Sequence, residues 1–101
     1  MPCKTVTIAG PQANPSASFN SYNISTGVNS ATVTYEITND GNVPINISVD
    51  ITVNGSTVKT DKYSSVGVGS SERNSNSLTI NVQAGSTESA TICAKSRITR
   101  A

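Results

Sequence analysis

Residues 31–63 read ATVTYEITNDGNVPINISVDITVNGSTVKTDKY, and the alternation within them decides the fold. Ala31, Val33, Tyr35 and Ile37 take turns with Thr32, Thr34, Glu36 and Thr38, the two-residue period of a strand with one face buried. Asn39-Asp40-Gly41-Asn42 interrupts the pattern. It then resumes for eleven residues, with Val43, Ile45, Ile47, Val49, Ile51 and Val53 on one face and Pro44, Asn46, Ser48, Asp50 and Thr52 on the other. Asn54-Gly55 follows, the strongest short-range signal for a hairpin, because a tight type I′ turn needs positive φ at both central residues.

Outward from this stretch the pattern is looser. Lys4 to Ala9 predicts a first strand with Val6 and Ile8 inward, broken by Gly10-Pro11-Gln12-Ala13-Asn14-Pro15. Ser18 to Ile24 is a second strand of mixed faces, with Asn20, Tyr22 and Ile24 on one side and Phe19 on the other. Ser56 to Tyr63 carries Lys59, Asp61 and Lys62, which suits an edge or a solvent face. Ser64 to Asn76 reads as a Gly/Ser/Asn-rich loop with Val66 and Val68 turned inward. Leu78, Ile80 and Val82 predict the next strand and Ala84-Gly85-Ser86 a turn. Glu88 to Ile98 closes the chain, with Ala90, Ile92 and Ala94 inward and Cys93 outward. No segment has a helical period. The sum is an all-β chain, an antiparallel β-sandwich of about seven strands in one domain spanning residues 1–101, with residues 1–17 a loosely attached strand and linker.

Composition narrows what such a chain can do. Of its 101 residues 35% are hydrophobic, 4% aromatic and 13% charged, so the core is Val and Ile and the surface Ser, Thr and Asn. That surface suits extracellular proteins and the outer layers of assemblies. A net charge of +1 gives no electrostatic case for nucleic acid or membrane partners. Lys95, Arg97 and Arg100 cluster near the C-terminus and read as a solvated end. No apolar run is long enough to span a bilayer. Met1-Pro2-Cys3-Lys4 leads straight into the first strand with no signal peptide. Either a leader has been removed, or the protein is used without Sec export, as a virion component is.

Residues 35–63, YEITNDGNVPINISVDITVNGSTVKTDKY, followed by residues 78–95, LTINVQAGSTESATICAK, resemble the CARDB-type and related Ig-like domains of bacterial and archaeal surface proteins. The shared features are an Asn-x-Gly-Asn turn, a long strand, an Asn-Gly hairpin and a late Ala-Gly-Ser turn. They cover residues 31–95, and the loop at residues 64–76 departs from the pattern. The resemblance implies an Ig-like fold with an accessory or structural role, and it carries over no site residues. In an Ig-like topology the first and last strands run side by side, which would bring Cys3 and Cys93 together. Both point away from the core, unlike the inward bridge of antibody domains. An intrachain disulfide, two free thiols and a cross-link between subunits all stay open, and a bridge implies an oxidising compartment or a thermophilic host.

Candidate chemistry is sparse. The chain has no His, which excludes Ser-His-Asp and Cys-His arrangements and removes the commonest metal ligand. Glu36 and Asp50 lie on strands whose pairing brings them together on the polar face, where they read as solvated groups rather than a glycosidase-like pair. Asn39-Asp40-Gly41-Asn42 lacks the further carboxylates of a calcium loop. Asn23, Asn46 and Asn54 stand in glycosylation sequons; Asn54 is spent on its turn, leaving Asn46 as the better acceptor and Asn23 as the other. No catalytic, cofactor or metal site is expected. The expected role is a non-enzymatic structural subunit or decoration protein of a virion or extracellular assembly, bound to like subunits or to a shell or filament protein, as a homo-oligomer or array. The alternative is an adhesion or accessory module, carbohydrate-binding in one form, of a secreted surface protein. Aromatic poverty, with Tyr22, Tyr35 and Tyr63 the only tyrosines, weighs against sugar binding.

Overall fold

In the computed structural model, which describes residues 2–7, 9–10 and 12–101, the two best-patterned stretches become the two central strands. The described residues form six strands: β1 (Ala17–Gly27), β2 (Ser30–Asn39), β3 (Ile45–Val53), β4 (Ser56–Val66), β5 (Ser71–Thr79) and β6 (Ile92–Arg100). They make two antiparallel three-stranded sheets, in the orders β1-β2-β5 and β4-β3-β6. Val33, Tyr35 and Ile37 of β2 meet Ile45, Ile47, Val49 and Ile51 of β3, all essentially inaccessible to water. Each of these branched side chains contributes on the order of 1.5–3 kcal/mol on burial, so the centre of the core rests on these two strands.

The flanking elements explain where alternation misleads. Asn20 is a bulge: Phe19 pairs with Ile37 and Ser21 with Glu36, leaving Asn20 without a partner. The extra residue reverses the parity, so Phe19, Tyr22 and Ile24 share the inner face that a regular strand would have divided between them. Phe19 packs edge-on against Tyr35 at 5.8 Å between ring centres. The expected loop at residues 64–76 is corrected, since β4 runs to Val66 and β5 starts at Ser71. Val66 is buried, but Val68 is exposed at the corner. β5 escaped notice because its inward residues Asn74 and Asn76 bond to Asp61 rather than pack on hydrocarbon.

Two further expectations change. The strand foreseen over Leu78–Val82 stops at Thr79, and β6 begins at Ile92 rather than Glu88. Between them residues 80–91 cross from one sheet to the other beneath the core. Two turn asparagines hold this crossing, Asn29 (φ 53°) and Asn54 (φ 50°). The Asn29 carbonyl and carboxamide accept from the Ile80 and Val82 amides, both at 2.9 Å. Asn54 and Thr91 exchange a reciprocal pair at 2.8 and 2.9 Å. With Gly55 at φ 85°, the Asn54-Gly55 turn has the two positive φ values that type I′ demands. The strand expected over Lys4–Ala9 does not form: residues 4–7 and Ala9 are exposed and belong to no sheet, and Ile8 lies outside the described residues.

Candidate functional site

Register places the ends of the six strands. Ala17, Asn39, Ile45, Val66, Ser71 and Arg100 lie at one end of the body, and Gly27, Val53, Thr79 and Ile92 at the other. At the first end residues 12–16 are held by the Asp40–Asn42 turn. The Asn14 amide donates to Asn42 Oδ1 at 2.6 Å, the Asn42 amide donates to Asn14 O at 3.2 Å, and Asn42 Nδ2 donates to Gln12 O at 2.9 Å. Gly41 permits the approach, since a Cβ there would stand 2.2 Å from Asn14 O. The Ser18 hydroxyl donates to Asp40, and the Ser16 and Ser18 hydroxyls hold that carboxyl below its usual range.

Beyond this clamp, residues 2–7 and 9–10 are exposed and form an arm. The molecule measures 89 × 21 × 17 Å, with a radius of gyration of 20.3 Å. A compact chain of this length has a radius of about 13 Å. The two short dimensions are those of the paired sheets alone, so the arm continues along the long axis, away from the Asn39 end.

The two sides of the body are closed differently. On the β4–β5 side a polar network joins the sheets. Tyr35, fully buried, donates to Asp61 Oδ2 at 2.6 Å, and Asn76 Nδ2 donates to the same oxygen at 2.8 Å. Tyr35 has one proton and gives it to the carboxylate, so the Tyr63 hydroxyl, 2.7 Å away, donates to Tyr35. Burial and then the Asp61 bond push the Tyr35 hydroxyl far above its ordinary value. For Asp61 burial acts upward, but donors from Tyr35, Asn76 and Asn74 and the charge of Lys59 outweigh it and hold the carboxyl low. Asn76 Oδ1 is buried without a partner among the described residues. Below the network this side opens into a cleft of about 400 Å³ between Val58 and Leu78.

On the β1–β6 side no such network stands among the described residues. Both are edge strands, and the Tyr22 hydroxyl bridges them by donating to Ile92 O at 2.9 Å. Phe19 and Ile24 of β1 and Ile92, Ala94 and Ile98 of β6 pack on the core but stay half-buried, and Tyr22 is 42% exposed. At the Ile92 end this seam opens into a cleft of about 800 Å³ between the Thr26–Ala31 hairpin and residues 80–92.

The residues singled out by sequence fall apart in space. Glu36 and Asp50 do not meet: each lies on the outer face of a different sheet. Arg73 and Asn20 bind Glu36, and Arg97 and Thr60 bind Asp50, Arg97 with two bonds of 2.7 and 3.1 Å. Both carboxyls are held below their usual range, chiefly by these arginines. Lys95, Arg97 and Arg100 sit along β6, and Arg97 is taken up by Asp50. Cys3 is exposed on the arm and Cys93 half-buried on the outer face of β6, both as free thiols, so the structure holds no intrachain bridge. The side-by-side placement of first and last strands that would have joined them is absent because the arm leaves the body. Asn46 is half-buried and its Oδ1 accepts from the Ser65 amide at 2.9 Å, whereas Asn23 is exposed on β1 and is the more accessible sequon. Among the described residues no three acidic, Cys or His side chains gather as a metal cluster does. The clamp, the bulge and the open seam had no signal in residue type, because each depends on which strands become neighbours. No protein-family model, curated protein or solved structure matches this chain.

Proposed function

We propose that this chain is a structural subunit of a virion or extracellular assembly, working through contacts with like subunits or with a shell or filament protein. The observation that carries the reading is the arm: a short segment bolted at its base to the Asn39 end and directed away from its own body. An exposed strand-forming segment tethered to a rigid body is the usual equipment of subunits that join by strand addition. A net charge of +1 leaves little repulsion between copies. In this reading the body is an Ig-like sandwich of the accessory kind found in surface proteins, short of one strand. Sedimentation velocity and negative-stain microscopy of the whole chain, from micromolar to millimolar concentration, test it. Growth into elongated particles is expected. A strict monomer that also fails to bind purified shells or filaments overturns the reading and brings an adhesion module forward.

A further inference from the structure

Among the described residues the outer edges of β1, β4, β5 and β6 carry no further strand, yet the side chains beside them differ. The β4–β5 side is occupied in its upper half by hydrogen-bonded polar groups from both sheets. The β1–β6 side has half-buried hydrocarbon beside two unpaired edges, a lining that one further strand with apolar residues on alternate positions would cover. The arm has that pattern in its sequence, with Val6 and Ile8 in one phase and Cys3, Thr5 and Thr7 in the other. Val6 is 62% exposed in the single chain.

We propose that residues 3–9 of one copy add as an antiparallel strand to the β6 edge of the next copy, closing its β1–β6 seam and linking copies head to tail. This rests on the array reading above and specifies its joint. The polarity follows from the geometry. The arm leaves the Asn39 end and runs along the long axis, so a second copy in the same orientation presents its Ile92 end there, where the larger cleft opens into the seam. Along the arm the chain runs back toward its own body, whereas β6 of the second copy runs away from that body, so the two strands are antiparallel. The arm laid on its own β6 would instead be parallel, with Cys3 beside Cys93, because β6 also runs toward the Asn39 end.

Parity fixes the register to even steps. Setting Val6 opposite the neighbour's Ser96 and Ile8 opposite its Ala94 places each branched side chain beside a small one, the complementarity a packed interface needs. Thr5 and Thr7 then face Arg97 and Lys95 on the solvent side, and Ala9 faces Cys93. Arm and edge are different surfaces, so the contact is heterologous, and copies that keep the same orientation along the long axis repeat by translation, which gives a filament rather than a ring.

Cross-linking tests the joint. In the Cys3→Ser/Ala9→Cys variant, two surface changes, residue 9 of one copy lies at disulfide distance from Cys93 of the next. Oxidation of the assembled protein with diamide should yield a ladder of covalent multimers, absent when Cys93→Ser is added. Val6→Asp should leave the circular dichroism spectrum unchanged and raise the concentration for half-assembly roughly tenfold or more, since a carboxylate enters an apolar seam. Overlap of the arm sets the axial repeat at about 60 Å, the 89 Å length less about 30 Å of extended arm. Filaments that give no ladder and ignore Val6→Asp overturn strand exchange while leaving the array reading in place. An intrachain Cys3–Cys93 bridge in the oxidised native chain puts the arm on its own edge and overturns it as well. A strict monomer removes both readings.

Discussion

Tyr35 ties the two sheets together: its ring packs on Phe19 within one sheet, and its hydroxyl reaches Asp61 and Tyr63 in the other. Replacing it with Phe leaves the ring but strips Asp61 of a donor and the Tyr63 hydroxyl of its acceptor. A buried group left unpaired costs about 1–3 kcal/mol. Tyr63→Phe removes only the outer donor of the chain, at a net cost of about 1 kcal/mol. Urea melts should therefore rank wild type above Tyr63→Phe and Tyr63→Phe above Tyr35→Phe. The reverse order would show that the proton of Tyr35 is not committed to Asp61.

β1 shows how one residue re-aims an element. The bulge at Asn20 brings Ala17 and Phe19 onto the same face as Tyr22 and Ile24. Deleting Asn20 leaves Ala17, Phe19, Tyr22 and Ile24 at alternate positions of a regular strand, all still inward. It should therefore melt close to wild type, as should Asn20→Ala, since each loses only an exposed hydrogen bond to Glu36. Deleting Ser21 as well flips the parity and turns either Phe19 or the Tyr22–Ile24 half to solvent, at the cost of a large core truncation, about 3 kcal/mol. A double deletion as mild as the single one would show that the phase of β1 has no packing role. The strand itself was visible in the sequence, but its phase was not, because a bulge is chosen by the partner strand and leaves no mark in local composition.

For the whole molecule, pH acts through the network that joins the sheets. Asp61 has a folded pKa below its unfolded value, so its contribution is present above about pH 4 and is lost as pH falls through the folded value. Tyr35 and Tyr63 are raised, each first by burial, so their contribution is complete below about pH 10 and declines as pH rises beyond it. Stability measured by urea unfolding should thus form a plateau between about pH 5 and 9 with a fall on each side. Asp61→Asn should make the acid limb shallower, leaving the parts due to Glu36, Asp40 and Asp50, which are also held low. High salt should weaken the parts due to Glu36–Arg73 and Asp50–Arg97, which are surface pairs, and spare the part due to Asp61, whose donors are mostly neutral. An acid limb that disappears entirely in salt would assign it to the surface pairs instead.

By itself the sequence determined the two central strands, the face each buries and the Asn54-Gly55 hairpin. Those features rest on a two-residue period and on positive φ, both local properties of the chain. It determined equally that no histidine-based chemistry is available. Only the tertiary structure decided that Ser71–Thr79 is a strand, since the carboxamides of its inner face find their partner in Asp61 of β4, in the other sheet. It alone decided that Glu36 and Asp50 lie on opposite outer faces, because which sheet a strand joins is settled by long-range pairing. The fate of residues 4–9 belongs to the same class. Their alternation specifies a strand-forming segment, but an edge to pair with is supplied by three-dimensional neighbours, and the clamp at Asn42 directs the arm away from its own.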